Sequence, residues 1–355
     1  MKHYLTPLKL ALFLAAALVL TIIPLGAGSP AAPQLNWPEA ISIPAGFESE
    51  GIELGKGDEF FLGANSFSSL FGAAFDVPHD LSPFAGAIYK GNLRTGEGAI
   101  LVPPTGKPVS GLSYDPRTDY LYAATGHGEV LTFLPFFTRN LLDQGVIVYD
   151  AISGDLVTEI TFGDGIAIND VLVTRTGVYC TDSLNADLYK VVLEGGGHLP
   201  STPVVEVMHM PGFEMVPGFN ANGLVGEFDG RRLVIVNIST GVLYLVDTDS
   251  GEASPIQIEG AEQLFPNGDG LYLEGRTLYI LQNFSDKIAV VQLSGDLTGG
   301  YFVRNIPGEG ETNPLNVATT LIGFGNSLYA INTHVFDLIF GDPALVQSEV
   351  VRLRK

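Results

Sequence analysis

The sequence predicts an all-β protein, a six-bladed β-propeller of four-stranded blades, on three observations. First, the 355 residues hold 43 Gly and 22 Pro with 46% hydrophobic content, enough for a large core and too turn-rich for a helical protein. Second, one strand–turn–strand pattern recurs six times. Third, the last copy lacks an outer strand, while a short orphan strand near the N-terminus has no partner beside it.

The chain begins with Lys2, His3 and Lys9 ahead of an apolar run from Leu10 to Ile23, then Pro24 and the small residues Gly26 to Ser29. That order reads residues 1–29 as an export signal, or as an anchor if it is not cleaved. A secreted protein is expected, and a membrane is a partner only if the segment is retained. Residues 39–355 then form the single propeller domain, with EAISIP at 39–44 as the orphan strand.

The six copies read EGIELGKGDEFFLGAN from Glu50, SGLSYDPRTDYLYAATG from Ser110, NDVLVTRTGVYCTDS from Asn169, NGLVGEFDGRRLVIVNI from Asn222, DGLYLEGRTLYILQN from Asp269 and TTLIGFGNSLYAINTH from Thr319. Successive copies start 60, 59, 53, 47 and 50 residues apart. A repeat of this length made of short strands marks one propeller blade per copy. Each copy has a first strand, a turn such as GKGD or DPRTD, and an aromatic or β-branched second strand. A third strand follows, as in GVIVYDA at 145 or GVLYLVD at 241, and in several copies an outer strand, as in VDTDSGEASPIQI. The chain reaches Lys355 just after the third strand of the sixth copy. Residues 39–44 are therefore expected to complete that blade, removing two exposed sheet edges.

Three stretches exceed the repeat length: 66–85, 127–144 and 196–218. The first two, rich in Phe and Leu, fall between second and third strands. Antiparallel order puts them at the end of the ring where first strands begin. Apolar loops over a polar centre suit a substrate with an apolar part.

Four of the six leading residues, Glu50, Asn169, Asn222 and Asp269, carry the oxygen ligands that a hard cation prefers. Two carboxylates and two amides suit Ca²⁺ or another divalent cation, whereas no Cys or His recurs there to suggest zinc. Ser110 and Thr319, the other leaders, are shorter, would leave their side of the site open and are candidate substrate contacts. Asn and Asp before Gly are also ordinary turn residues. His127 and His334 fall in loops near the same end as further candidate contacts. The lone Cys180 lies in an apolar strand and reads as a buried thiol. Two sequons, at Asn237 and Asn283, fit export and glycosylation.

The order Glu, Asn, Asn, Asp in copies one, three, four and five, within EG, ND, NGL and DGL, resembles the gluconolactonase/regucalcin superfamily of six-bladed propellers. Diisopropylfluorophosphatases and paraoxonases share that order. The resemblance spans roughly residues 40–355. It implies that Glu50, Asn169, Asn222 and Asp269 hold a catalytic divalent cation, that Asp269 is a nucleophile or general base, and that Asp170 supports the site from beside Asn169. Gly51 stands where a paraoxonase has an acid serving a second calcium. No histidine pair matches the paraoxonase dyad, and DPRTDYLYAATG offers no sugar-recognising arginine.

A net charge of −21 excludes a basic nucleic-acid footprint. The expected function is a secreted, Ca²⁺-dependent hydrolase of a small-molecule ester, foremost a lactone. The alternative is a propeller that binds a small molecule without catalysis, or one recruited for a biosynthetic step.

Overall fold

The computed structural model describes residues 37–72, 77, 80–130 and 139–355; at 126–130 and 139–142 it describes backbone alone. The export segment expected at 1–29 lies outside the described residues. Half of the described residues are strand and 7% helix.

Six antiparallel sheets follow one another along the chain. Blade 1 holds β2 (Ser49–Leu54), β3 (Glu59–Ala64), β4 (Ile88–Asn92) and β5 (Gly98–Val102). Blade 2 holds β6 (Val109–Asp115), β7 (Tyr120–Val130), β8 (Arg139–Asp150) and β9 (Leu156–Gly163). Blade 3 holds β10 (Ile168–Val173), β11 (Gly177–Asp182), β12 (Asp187–Val192) and β13 (Val205–His209). Blade 4 holds β14 (Ala221–Gly226), β15 (Arg232–Asn237), β16 (Leu243–Asp247) and β17 (Ala253–Pro255). Blade 5 holds β19 (Gly268–Glu274), β20 (Thr277–Gln282), β21 (Lys287–Leu293) and β22 (Gly299–Ile306), with β18 (Gln257–Glu259) added in parallel to β22. Blade 6 holds β23 (Ala318–Phe324), β24 (Ser327–Asn332) and β25 (Glu349–Arg354).

The N-terminal strand β1 (Ala40–Ser42) closes the ring as expected, pairing Ala40 with Val351, Ile41 with Val350 and Ser42 with Glu349. Ile41 and Ile43 are buried with Phe47, Tyr329 and Val350 in the core between blades 6 and 1. Equivalent apolar layers fill the other gaps. Cys180 is buried between blades 2 and 3, where burial pushes its thiol pKa well up.

Three details depart from the sequence reading. The outer strand expected from VDTDSGEASPIQI is split: residues 253–255 stay with blade 4 and 257–259 cross to blade 5. Pro255 sits at the break, where its missing N–H cannot extend the ladder. The stretch at 127–144 is no simple loop, because β7 and β8 stay paired out to Val130 and Arg139. The stretch at 196–218 contains β13, the outer strand of blade 3. Two short helices, α1 (Phe67–Gly72) and α2 (Val335–Phe340), stand at the mouth end of the ring.

The feature that positions the site is repeated in every blade. The pairing of first and second strands slips between Ser49 and Ile52, Val109 and Leu112, Ile168 and Val171, Ala221 and Leu224, Gly268 and Leu271, and Ala318 and Leu321. The two residues in each gap are the leading residue and its follower. A bulge re-aims a side chain out of the normal alternation. The Gly that follows four of the leaders has its own cause. A Cβ on Gly51 would lie 2.2 Å from the Ser110 carbonyl oxygen, and one on Gly223 2.1 Å from that of Asp269. These pairs are places where neighbouring first strands almost touch, not turns.

Candidate active site

All six leading residues, Glu50, Ser110, Asn169, Asn222, Asp269 and Thr319, line one cavity of ≈ 410 Å³ at the mouth. Its walls are apolar: Phe67, Leu70 and Phe71 of α1, Leu81, Phe219, Phe284, and Val335, Phe336 and Ile339 of α2. The first Phe-rich stretch thus covers the mouth, as antiparallel order requires. The contribution of α2 was not anticipated, because HVFDLIF carries no helix-start residue and begins at His334 in a left-handed conformation (φ 55°).

Neighbouring blades hold the leading residues through hydroxyls. Ser110 Oγ donates to the Asn169 carbonyl at 2.7 Å, Thr181 Oγ1 to that of Asn222 at 2.9 Å, and Thr319 Oγ1 to that of Glu50 at 2.8 Å. Ser110 and Thr319 therefore use their hydroxyl hydrogens to clamp the ring while still lining the cavity.

Burial and mutual repulsion dominate the electrostatics. Glu50 is pushed well above the usual carboxylate range, first by burial and then by the charge of Asp269, against a hydrogen bond from Asn65. Asp269 is pushed up to about 8 by burial, with Asn283 and Asn222 donating to it and Asp170 repelling it. Asn65 Nδ2 donates to Glu50 Oε2, and Asn283 Nδ2 donates to Asp269 Oδ2 at 2.9 Å. Among the described residues, no Lys, Arg or His lines the cavity.

Asp170 does not line this cavity. It faces the channel further in, where Val171 N–H donates to Oδ1 at 2.9 Å and Leu224 N–H to Oδ2 at 2.8 Å. Burial raises it to about 6 against those two bonds. It thereby ties blade 3 to the strand carrying Asn222. His334 does not line the cavity either; its Nδ1 lies 2.8 Å from Asn316 Nδ2. The backbone of His127 pairs with Leu142; its side chain lies outside the described residues. Neither sequon amide is at the surface. Asn237 is fully buried and donates to the Glu214 carbonyl at 2.9 Å, and Asn283 is committed to Asp269.

Two residues of the site escaped the sequence reading, Asn65 and Asn283. Both directly follow a second strand, in LGANS and LQNFS, and comparing copies at that position would have found them.

Among the described residues, no three His, Cys, Asp or Glu side chains group closely enough to hold a metal alone. Any ion here would take two carboxylates, Glu50 and Asp269, plus the amide oxygens of Asn169 and Asn222. That all-oxygen set suits calcium. Two buried acids, both raised by burial and Glu50 further by the charge of Asp269, that among the described residues meet no basic side chain also suit a cation, because unpaired buried charge is costly.

Fold and cavity together define a six-bladed β-propeller with an acid-floored, apolar-walled mouth. No family model matches the chain, and no curated protein does. Solved structures share the fold. The major Malassezia sympodialis allergen Mala s 1 has a TM-score of 0.62 at 11% identity, over 89% of this chain and 96% of that one. The PQQ-bound aldose sugar dehydrogenase of Streptomyces coelicolor has 0.50 at 13% identity, over 90% and 99%. A luciferin-regenerating enzyme has 0.50 at 12% identity, over 89% and 95%. Such distant likeness shows the fold alone; some of these propellers are enzymes.

Proposed function

We propose that the mouth cavity is the active site of a secreted, calcium-dependent hydrolase acting on a small-molecule ester, foremost a lactone. The observation that carries this reading is the pair Glu50 and Asp269, buried in one cavity with Asn169 and Asn222 and met by no basic side chain. These four residues would hold the ion. Calcium, when bound, supplies Lewis-acid polarisation of the ester carbonyl.

The chain's own groups do the rest. Asp269, at the edge of the cavity, acts in one of two ways. It takes the proton of a water that adds to the ester carbon, and returns it to the alkoxide as the acyl C–O bond breaks. Or it attacks that carbon itself, displacing the alkoxide, which takes a proton from water, and forming an anhydride that a second water opens. Asn222 and Asn283 fix its carboxylate by hydrogen bonds. The walls from α1 and α2 exclude water and bind the apolar part of the substrate. Asp170 positions rather than reacts, because both oxygens accept backbone N–H bonds. The apolar leader at 1–29 is assigned to export. Among the described residues no helix is long and apolar enough to cross a membrane.

The test is a panel of lactones, aryl esters and phosphotriesters assayed with and without chelator. Chelator-sensitive turnover is expected, strongest for lactones with an apolar substituent. Absence of turnover across the panel overturns the hydrolase. The apolar walls then favour the second reading, a propeller that binds a small apolar molecule without changing it.

A further inference from the structure

The two asparagines beside the acids share one construction. Asn65 Oδ1 accepts the Ser66 N–H at 2.7 Å while its Nδ2 donates to Glu50. Asn283 Oδ1 accepts the Phe284 N–H at 2.7 Å while its Nδ2 donates to Asp269. The bond to each oxygen fixes which way the amide faces. An amide nitrogen carries two N–H donors, so each residue has one left over. No acceptor for that second donor is found among the described residues. Both residues line the cavity, at 8% and 7% exposure.

The corresponding positions elsewhere do different work. Just past the second strands of blades 3 and 6 stand Ser183 and Thr333. Their hydroxyls donate to the Ala221 and Ser49 carbonyls at 2.6 and 2.7 Å. Ile238 occupies the position in blade 4. Only the blades that carry an acid leader, 1 and 5, place an amide there. A spare, buried donor is costly to leave unpaired. Its natural partner in an otherwise apolar cavity is an acceptor oxygen on the bound molecule.

We infer that Asn65 and Asn283 are a pair of substrate-contacting donors, each orienting an acid with one N–H and offering the other to a neutral acceptor oxygen of the ligand. This deepens the hydrolase reading, since an ester carbonyl is such an acceptor, and rests on it only for the identity of the substrate. With no Lys, Arg or His lining the cavity among the described residues, these two donors suit a neutral carbonyl or phosphoryl oxygen. Use of the Asn283 sequon is incompatible with this role, because a glycan would take the same nitrogen.

The experiment compares two probes of equal apolar body, 4-phenylcyclohexanone and phenylcyclohexane, binding to the full protein with calcium present. Wild type is expected to prefer the ketone. Asn65→Ala and Asn283→Ala should each reduce that preference roughly three- to tenfold, the worth of one neutral hydrogen bond. Phenylcyclohexane affinity should stay unchanged, which also reports that each variant's pocket has folded. Calcium affinity, titrated without probe, separates the other duty of the amides. Variants that bind calcium weakly yet keep the full ketone preference overturn the inference, as does a wild type that binds both probes equally. Failure of the hydrolase reading looks different: ketone preference retained and lost in the variants, with no ester turned over.

Discussion

Asp58, Asp115, Glu227 and Glu274 stand where first strands turn into second strands, and each meets a base from the same chain. Arg94 Nε donates to Asp58 at 2.6 Å, and Lys355 Nζ to Glu274 at 2.6 Å. Arg232 pairs with Glu227 at 2.5 Å, and Arg117 grips the fully buried Asp115 with Nε and a terminal nitrogen at 2.8 and 2.6 Å. At the opposite end, among the described residues, Glu50 and Asp269 meet only asparagines. The pKa directions follow: Arg94 holds Asp58 below the usual range, whereas burial lifts both mouth acids above it. Acids at the turns are satisfied within the chain and serve the fold. Acids at the mouth are oriented but left uncompensated, as befits a site completed from outside.

The sharpest way to break that contrast is at the mouth. Asp269→Asn keeps an oxygen and removes the charge, so ester turnover should fall on the order of 10³-fold and stay low across a calcium titration. Asn222→Ala, which removes a neutral ligand, should recover in the same titration because lost affinity yields to mass action. Full activity in Asp269→Asn would put the reactive group elsewhere.

At the turns the effect should fall on stability. Arg117→Ala leaves Asp115 buried and unpaired, at a cost of about 3 kcal/mol in denaturant unfolding, with turnover of the folded protein unchanged. A loss of activity without loss of stability would erase the division between the two ends. Chelation should act on the mouth alone. Calcium at a hundred times its dissociation constant contributes about 2.7 kcal/mol, so its removal should lower the melting temperature of wild type and leave Asp269→Asn far less affected. An unchanged wild-type melting temperature would count against a bound cation.

The smallest effect concerns Glu53, inside the channel between the two ends, where burial and then the charge of Asp170 raise its pKa from 4.5 to about 8. Among the described residues, Asp170 and Tyr272 are the other titratable side chains lining this part of the channel. Glu53 keeps its proton in the folded chain while the unfolded chain releases it. Its contribution to stability therefore falls as pH rises from 4.5 and levels off above about 8. Glu53→Gln should remove that slope, raising stability at pH 8 by about 1–2 kcal/mol relative to wild type, less than the full shift would give because the Glu53 side chain is only partly buried, and changing little at pH 4.5. Parallel pH profiles for the two proteins would refute the assignment.

The ring and its mouth were legible because a repeat fixes register: once Glu50, Asn169, Asn222 and Asp269 fall at one point of the copy, sixfold order brings them to one cavity. What the glycines after the leaders do was not legible. Asn-Gly and Asp-Gly look like turns in sequence, and only the neighbouring strand, some fifty residues away, shows that a side chain would collide there. Asn65 and Asn283 stayed hidden because their partners lie 15 and 14 residues back, across a hairpin. The length of the β7–β8 pairing was obscured by the apolar composition of 127–144, which reads as a loop, and the split at Pro255 depends on which sheet lies within reach of the freed strand.

The closing strand sets a schedule. Within the ring β1 is the first strand to be synthesised, yet its partner β25 is the last, and the Glu39–Arg352 contact spans 313 residues. Blades can stack one by one as they emerge from the ribosome, but the ring's first strand must wait until its last has appeared. Such a long-range pairing is slow to form, and until it does both edges of the growing arc stay open to other chains. Quality control of this protein, wherever it matures, therefore hinges on a final event centred on three residue pairs.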